Sequence, residues 1–161
     1  VSNRRIAWEL EGRTLMKKTV WTIVGTLAVV ASAIIVIASF AMGGCDHMLE
    51  TTTGGSCWMK CHWTFVAAGF TGIAAVASSV LAVLGKTAEG RRNAAVTTVV
   101  VAAIVIFFTL DAGIGLCGNA AMHCHQTALV VRIAAAVAIV CGIAQVAGAN
   151  PEKANVPKMK L

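Results

Sequence analysis

A hexapeptide written twice carries most of the chemistry this sequence could support. Met59-Lys60-Cys61-His62-Trp63-Thr64 and Met122-His123-Cys124-His125-Gln126-Thr127 share the form Met-x-Cys-His-x-Thr at an offset of 63 residues. Thioether, thiolate and imidazole together suit a soft ion such as Cu(I), and two such sets across an axis could enclose one ion. The expected metal set is therefore Met59, Cys61, His62, Met122, Cys124 and His125. Neutral imidazole also ligates haem iron, and His62 with His125 would be the symmetric axial pair. Cys57-Trp58-Met59-Lys60-Cys61-His62 has the form Cys-x3-Cys-His, one residue longer than the covalent haem attachment motif. A structural zinc site fits less well, because the chain has no regular pair of Cys-x2-Cys motifs.

The competing chemistry for the cysteines is disulfide formation. Cys45, Cys57, Cys61, Cys117 and Cys124, five of the six cysteines, cluster with all four histidines in two short segments. If those segments meet an oxidising compartment, paired thiols are expected. Cys117–Cys124 closes a short loop; Cys45–Cys61 and Cys57–Cys61 are alternatives for the other segment. Five cysteines leave one over, with Cys57 the best candidate for a reactive thiol. Cys141, inside an apolar run, reads as a small packing residue.

These segments must be held by long apolar elements. The chain has 161 residues, 58% of them hydrophobic and 12% charged, with a mean hydropathy of +0.80. A soluble domain is about 25% charged, so a water-soluble fold, a disordered chain and a nucleic-acid-binding domain are all excluded. Four apolar runs, 20–41, 63–84, 94–116 and 127–149, are long enough to cross a bilayer as helices. They are too long and too uniformly apolar for a β-barrel. Short connectors at 42–62, 85–93 and 117–126 predict an all-α, up-down four-helix bundle. The duplicated motif precedes the second and fourth runs, so the bundle reads as two repeated helical hairpins. Thr64 and Thr127 are the expected N-caps of those two helices.

Charge then orients the bundle. Eleven of the thirteen bases flank the first run, lie between the second and third, or follow the fourth, leaving Lys60 opposite and Arg132 within a run. The positive-inside rule puts both termini in the cytoplasm and the Cys/His segments outside. The chain divides into a cytoplasmic segment 1–19, a membrane domain 20–149 and a cytoplasmic tail 150–161. Met16-Lys17-Lys18 is a good start, so residues 1–15 either lie outside the natural protein or form a short amphipathic helix using Ile6, Trp8 and Leu10. Ala41-Met42-Gly43-Gly44-Cys45 vaguely resembles a lipoprotein cleavage box, but its apolar core is longer than the ~7–15 residues of a signal peptide, which favours a retained span. Asp111 and Arg132 are the charges inside the runs. Both would lie ~7–8 Å below the outer boundary at 1.5 Å per residue, and an ion pair between them is expected. Arg132 as an anchor for a quinone oxygen, lipid head or haem propionate is the alternative. No phosphate-binding loop, Ser-His-Asp set or carboxylate pair is available.

On Met59-Lys60-Cys61-His62-Trp63-Thr64, on Cys117-Gly118-Asn119 and on Met122-His123-Cys124-His125, the sequence resembles a small bacterial four-helix membrane family described as a domain of unknown function. The resemblance runs from Met16 to the end of the fourth run. It implies a bacterial cytoplasmic membrane and an exoplasmic Cys/His pair before the second and fourth spans, and is compatible with work beside an ABC-type permease. In topology the chain also resembles the quinone-linked disulfide-generating oxidases of the DsbB type. That likeness implies electron exchange between Cys57/Cys61 and Cys117/Cys124, with Arg132 as a quinone contact. Three functions follow. The first is a non-enzymatic membrane subunit with a disulfide-braced outer site for copper or haem, which alone gives roles to the histidines and methionines. The second is a membrane thiol–disulfide oxidoreductase; the third is a purely structural subunit.

Overall fold

The computed structural model describes the backbone of residues 2–43, 48–50, 56–118 and 122–148, with side chains described for 19–43, 58–118 and 122–148. Four long helices dominate: α1 (Ser2–Ile37), α2 (Lys60–Leu84), α3 (Ala88–Phe108) and α4 (His123–Gly148). A π-helical turn, Ala38–Met42, extends α1. Their spanning stretches are Thr19–Met42, Lys60–Leu84, Ala88–Phe108 and His123–Gly148. Each helix packs against two others in a closed ring, α1 on α2, α2 on α3, α3 on α4 and α4 on α1. The connector between α1 and α2 contains an element that its composition hides, an antiparallel hairpin of β1 (Met48–Glu50) and β2 (Ser56–Trp58).

The packing has the inverted character that lipid imposes. Ala28, Ala68, Ala75, Ala102, Ala135 and Ala138 are buried, whereas Phe70, Leu81, Val100, Ile133 and Val140 face outward. Between apolar helices in an apolar solvent there is no hydrophobic drive, so small residues that allow close approach do the packing. A Cβ on Gly72 would come within 3.0 Å of Ile35 and Val36 of α1; one on Gly142 would come 2.6 Å from Val99 Cγ2 of α3. Hydroxyls add cross-helix bonds: Ser32 to Ser79 at 3.2 Å and Ser78 to Thr98 at 2.9 Å. Such bonds contribute about 0.6 kcal/mol each in a membrane.

The helix ends depart from the sequence expectation in a way that bears on the site. α2 and α4 begin at Lys60 and His123, so their first turns take in Cys61, His62, Cys124 and His125. Thr64 and Thr127 are consequently not N-caps. Met59 occupies the cap position of α2 without a side-chain bond, and both threonines lie a turn inside, against the Lys60 and His123 carbonyls. α3 starts earlier than expected because Thr87 caps it, accepting from the Gly90 N–H at 3.1 Å. It also stops at Phe108, with Thr109 as C-cap, so 109–116 is a turn rather than helix.

Candidate metal centre

At the amino ends of α2 and α4 the two motif copies place their cysteines in the same surroundings. Cys61 is fully buried and Cys124 only 1% exposed. The backbone repeats as well: His62 N–H donates to Met59 O at 3.0 Å, and His125 N–H to Met122 O at 3.1 Å. Between them comes Cys117, from the turn that follows α3. The Sγ atoms of Cys61, Cys117 and Cys124 all lie within 4.8 Å of one another. Cys117 Sγ is 3.1 Å from Cys61 Sγ and 3.9 Å from Met59 Sδ. A disulfide needs ~2.05 Å, and among the described residues no sulfur pair is that close.

Both motif copies hold Cys117 in place. Thr64 Oγ1 of the first copy donates to the Gly115 carbonyl at 2.6 Å, two residues ahead of Cys117. His125 of the second copy meets the Cys117 carbonyl with Nε2 at 2.8 Å, the ring nitrogen acting as donor. The repeat therefore supplies two of the sulfurs and pins the residue that supplies the third. The threonines are unequal in this. Among the described residues Thr127 bonds only within its own helix, to His123 O at 3.4 Å. Thr64→Val is thus expected to cost about 1–3 kcal/mol by orphaning a buried carbonyl, and Thr127→Val less, because its 3.4 Å bond is long and lies within its own helix. Unfolding of both variants in detergent tests this; equal losses would contradict the asymmetry.

Three sulfurs around one ion at ~2.3 Å each sit ~3.8–4.0 Å apart, a spacing the cluster reaches with small shifts. The Met59 thioether stands by as a fourth soft donor. Cys61 and Cys124 each sit in the first turn of their helix, so the amino ends of α2 and α4 meet at the group.

A family model described as a domain of unknown function (DUF4418) matches residues 18–148. The chain belongs to this family. Among curated proteins and solved structures, nothing matches it.

In this DUF4418 chain the residues expected at the site divide. Met59, Cys61 and Cys124 come together, and Cys117 joins them. Neither imidazole of the repeat does. His62 stacks on Trp58, ring centroids 4.5 Å apart and planes at 19°, with Trp63 edge-on at 5.6 Å, and His125 is engaged with the Cys117 backbone. Met122 packs against the core beside them. The side chains of Cys45 and Cys57, and so their pairings, lie outside the described residues. Cys141 is buried in α4, away from this end.

The expected Asp111–Arg132 pair is corrected. Arg132 Nε donates to Thr109 Oγ1 at 2.9 Å and Nη2 to Thr109 O. It thereby caps the C-terminus of α3, where the helix dipole favours a cation. Asp111 is exposed in the turn beyond. The pairing requires a helix continuing to 116; α3 ends at Phe108, so the carboxylate is out of the helix and exposed.

Proposed function

We propose that this DUF4418 domain is a metal-binding membrane subunit that takes one Cu(I) ion into the Cys61–Cys117–Cys124 cluster, with Met59 as a fourth soft contact. The observation that carries this reading is the convergence of three sulfurs, two of them buried, with a thioether 3.9 Å away. A set made only of thiolate and thioether selects soft Cu(I) over harder ions. It favours copper over haem, since His62 and His125 are both occupied in holding the frame. The distribution of basic residues supports an exoplasmic position for the site, with both termini cytoplasmic. The aliphatic outer faces of the helices leave room for a larger permease alongside, which the ABC-type association would require.

The test is a titration of reduced, detergent-purified protein against a chromophoric Cu(I) chelator. One ion per chain is expected, with Cys61, Cys117 and Cys124 protected from alkylation. Reduced protein that leaves all copper with the chelator would falsify the proposal. A second reading, thiol–disulfide exchange, is favoured by the 3.1 Å approach of Cys61 and Cys117. Forming that bond would pass two electrons and two protons to a quinone acceptor. Quinone reduction by metal-free protein, lost in Cys61→Ser, would decide for it.

A further inference from the structure

At the end of the bundle opposite the sulfurs, three buried N–H donors lack partners. Four buried side-chain polar atoms are unsatisfied among the described residues, and three of them, Trp21 Nε1, Arg91 Nε and Gln145 Nε2, belong to this end. They occupy one corner between α1, α3 and α4. The Arg91 guanidinium carbon lies 5.9 Å from the Trp21 ring centroid. A Cβ on Gly148, three residues after Gln145, would sit 3.1 Å from Trp21 Cζ3; one on Gly25, a turn after Trp21, would sit 2.9 Å from Gln145 Nε2. The two glycines therefore keep the corner open for the indole and the amide. Gln145 is 1% exposed.

An unpaired buried donor costs about 1–3 kcal/mol, so three gathered in one corner ask for a common acceptor. The ligand has to be rich in acceptor oxygens, and its charge has to be negative. Among the residues whose side chains are described, the carboxylates are Glu89 and Asp111; Glu89 is exposed and Asp111 is at the far end, so neither is buried against Arg91. Lys86 and Arg92, both exposed at the same end, add positive potential. The depth is also right. Trp21, Arg91 and Gln145 lie two or three residues inside the ends of their spans, or ~3–5 Å at 1.5 Å per residue. That is the level at which basic pockets between membrane helices meet phosphate head groups.

The geometry points to a phosphate-binding site formed by Trp21, Arg91 and Gln145, taking the phosphate of an anionic lipid or a free phosphate group. Its charge pairs with the guanidinium, and its oxygens accept from the indole and the amide. This site is independent of the sulfur cluster.

The experiment titrates detergent-purified protein with dioctanoyl phosphatidylglycerol, with phosphate-free dioctanoylglycerol and with inorganic phosphate. Tryptophan fluorescence and the unfolding midpoint are the readouts. Saturable binding of the phosphatidylglycerol and none of dioctanoylglycerol is expected. Displacement by inorganic phosphate would mark a free phosphate as the ligand, and no displacement would mark the lipid head group. Gln145→Leu removes the amide donor at nearly constant shape, Trp21→Phe removes the indole N–H together with one ring, and each should weaken binding about tenfold, the equivalent of ~1.4 kcal/mol. Circular dichroism and elution volume establish which variants fold, and Trp21→Phe answers alone should Gln145→Leu fail. Equal binding of dioctanoylglycerol, or folded variants that bind as the parent does, overturns the site.

Discussion

Cys117→Ser is expected to weaken Cu(I) binding by at least about 100-fold, because even changes to groups that merely orient a ligand cost 10–100-fold. The expectation rests on where Cys117 sits rather than on its being a cysteine. Its sulfur is the one for which contacts to both Cys61 and Met59 are resolved, at 3.1 and 3.9 Å. It also arrives from the turn between α3 and α4, so it joins a sulfur from the first hairpin to one from the second. A hydroxyl is a hard, weakly acidic ligand and does not replace a thiolate for a soft ion. Cys141→Ser is the matched control. That thiol is buried in the middle of α4, so its loss should leave copper affinity unchanged. The chelator titration distinguishes the two variants directly. If Cys117→Ser retained parental affinity, the cluster would not be the metal site. His62→Ala should reduce affinity far less than Cys117→Ser, because His62 stacks on Trp58 outside the cluster.

The parts of this structure that were legible in the sequence are those governed by length and repetition. Four charge-poor runs of bilayer length leave few alternatives to four spans. The twice-written Met-x-Cys-His-x-Thr identified the end of the bundle where Cys61 and Cys124 meet. What misled was local. Hydropathy locates the middle of a membrane helix, not its ends, so by hydropathy Cys61 and His62 read as loop and Thr64 as cap. In fact the helix runs back to Lys60, and Thr64 spends its hydroxyl on Gly115. For the same reason hydropathy extends α3 past Phe108, which places Asp111 inside the membrane as a partner for Arg132, whereas Arg132 bonds Thr109 at the end of the helix. From the sequence Cys117 reads as a short-loop partner for Cys124 or, by the DsbB-type likeness, as half of a pair exchanging electrons with Cys57 and Cys61, and not as a metal ligand. Its approach to Cys61 depends on how the turn after α3 folds back, a tertiary fact with no periodic signature. The cue was there in outline: a cysteine seven residues ahead of Cys124 with no counterpart in the first half, where Gly54 stands at the matching offset.

That fold-back is where the second large effect is expected, at a residue with no chemistry of its own. Gly113→Ala should lower copper affinity about 10–100-fold, as loss of a ligand-orienting contact does, and should cost about 1–3 kcal/mol of stability by overpacking. A Cβ at Gly113 would collide with the Phe107 carbonyl oxygen and lie 3.0 Å from the Phe107 carbonyl carbon and 3.1 Å from Phe108 Cα. All three are backbone atoms of the last turn of α3, so no side chain can rotate away, and the turn itself must open. It is held closed by Gly113 N–H to Leu110 O at 2.9 Å and Gly115 N–H to Phe108 O at 3.2 Å. Gly115 has a φ of +83°, a conformation that favours glycine. Opening the turn would therefore draw the Gly115 carbonyl away from Thr64 and carry Cys117 off Cys61. Gly118→Ala is the comparison, since a Cβ there meets nothing within 4 Å. That variant should bind copper and unfold as the parent does. A Gly113→Ala protein with parental affinity would mean that Cys117 is positioned by something other than this turn, whereas lost affinity beside an unaffected Gly118→Ala ties the metal centre to the way α3 ends.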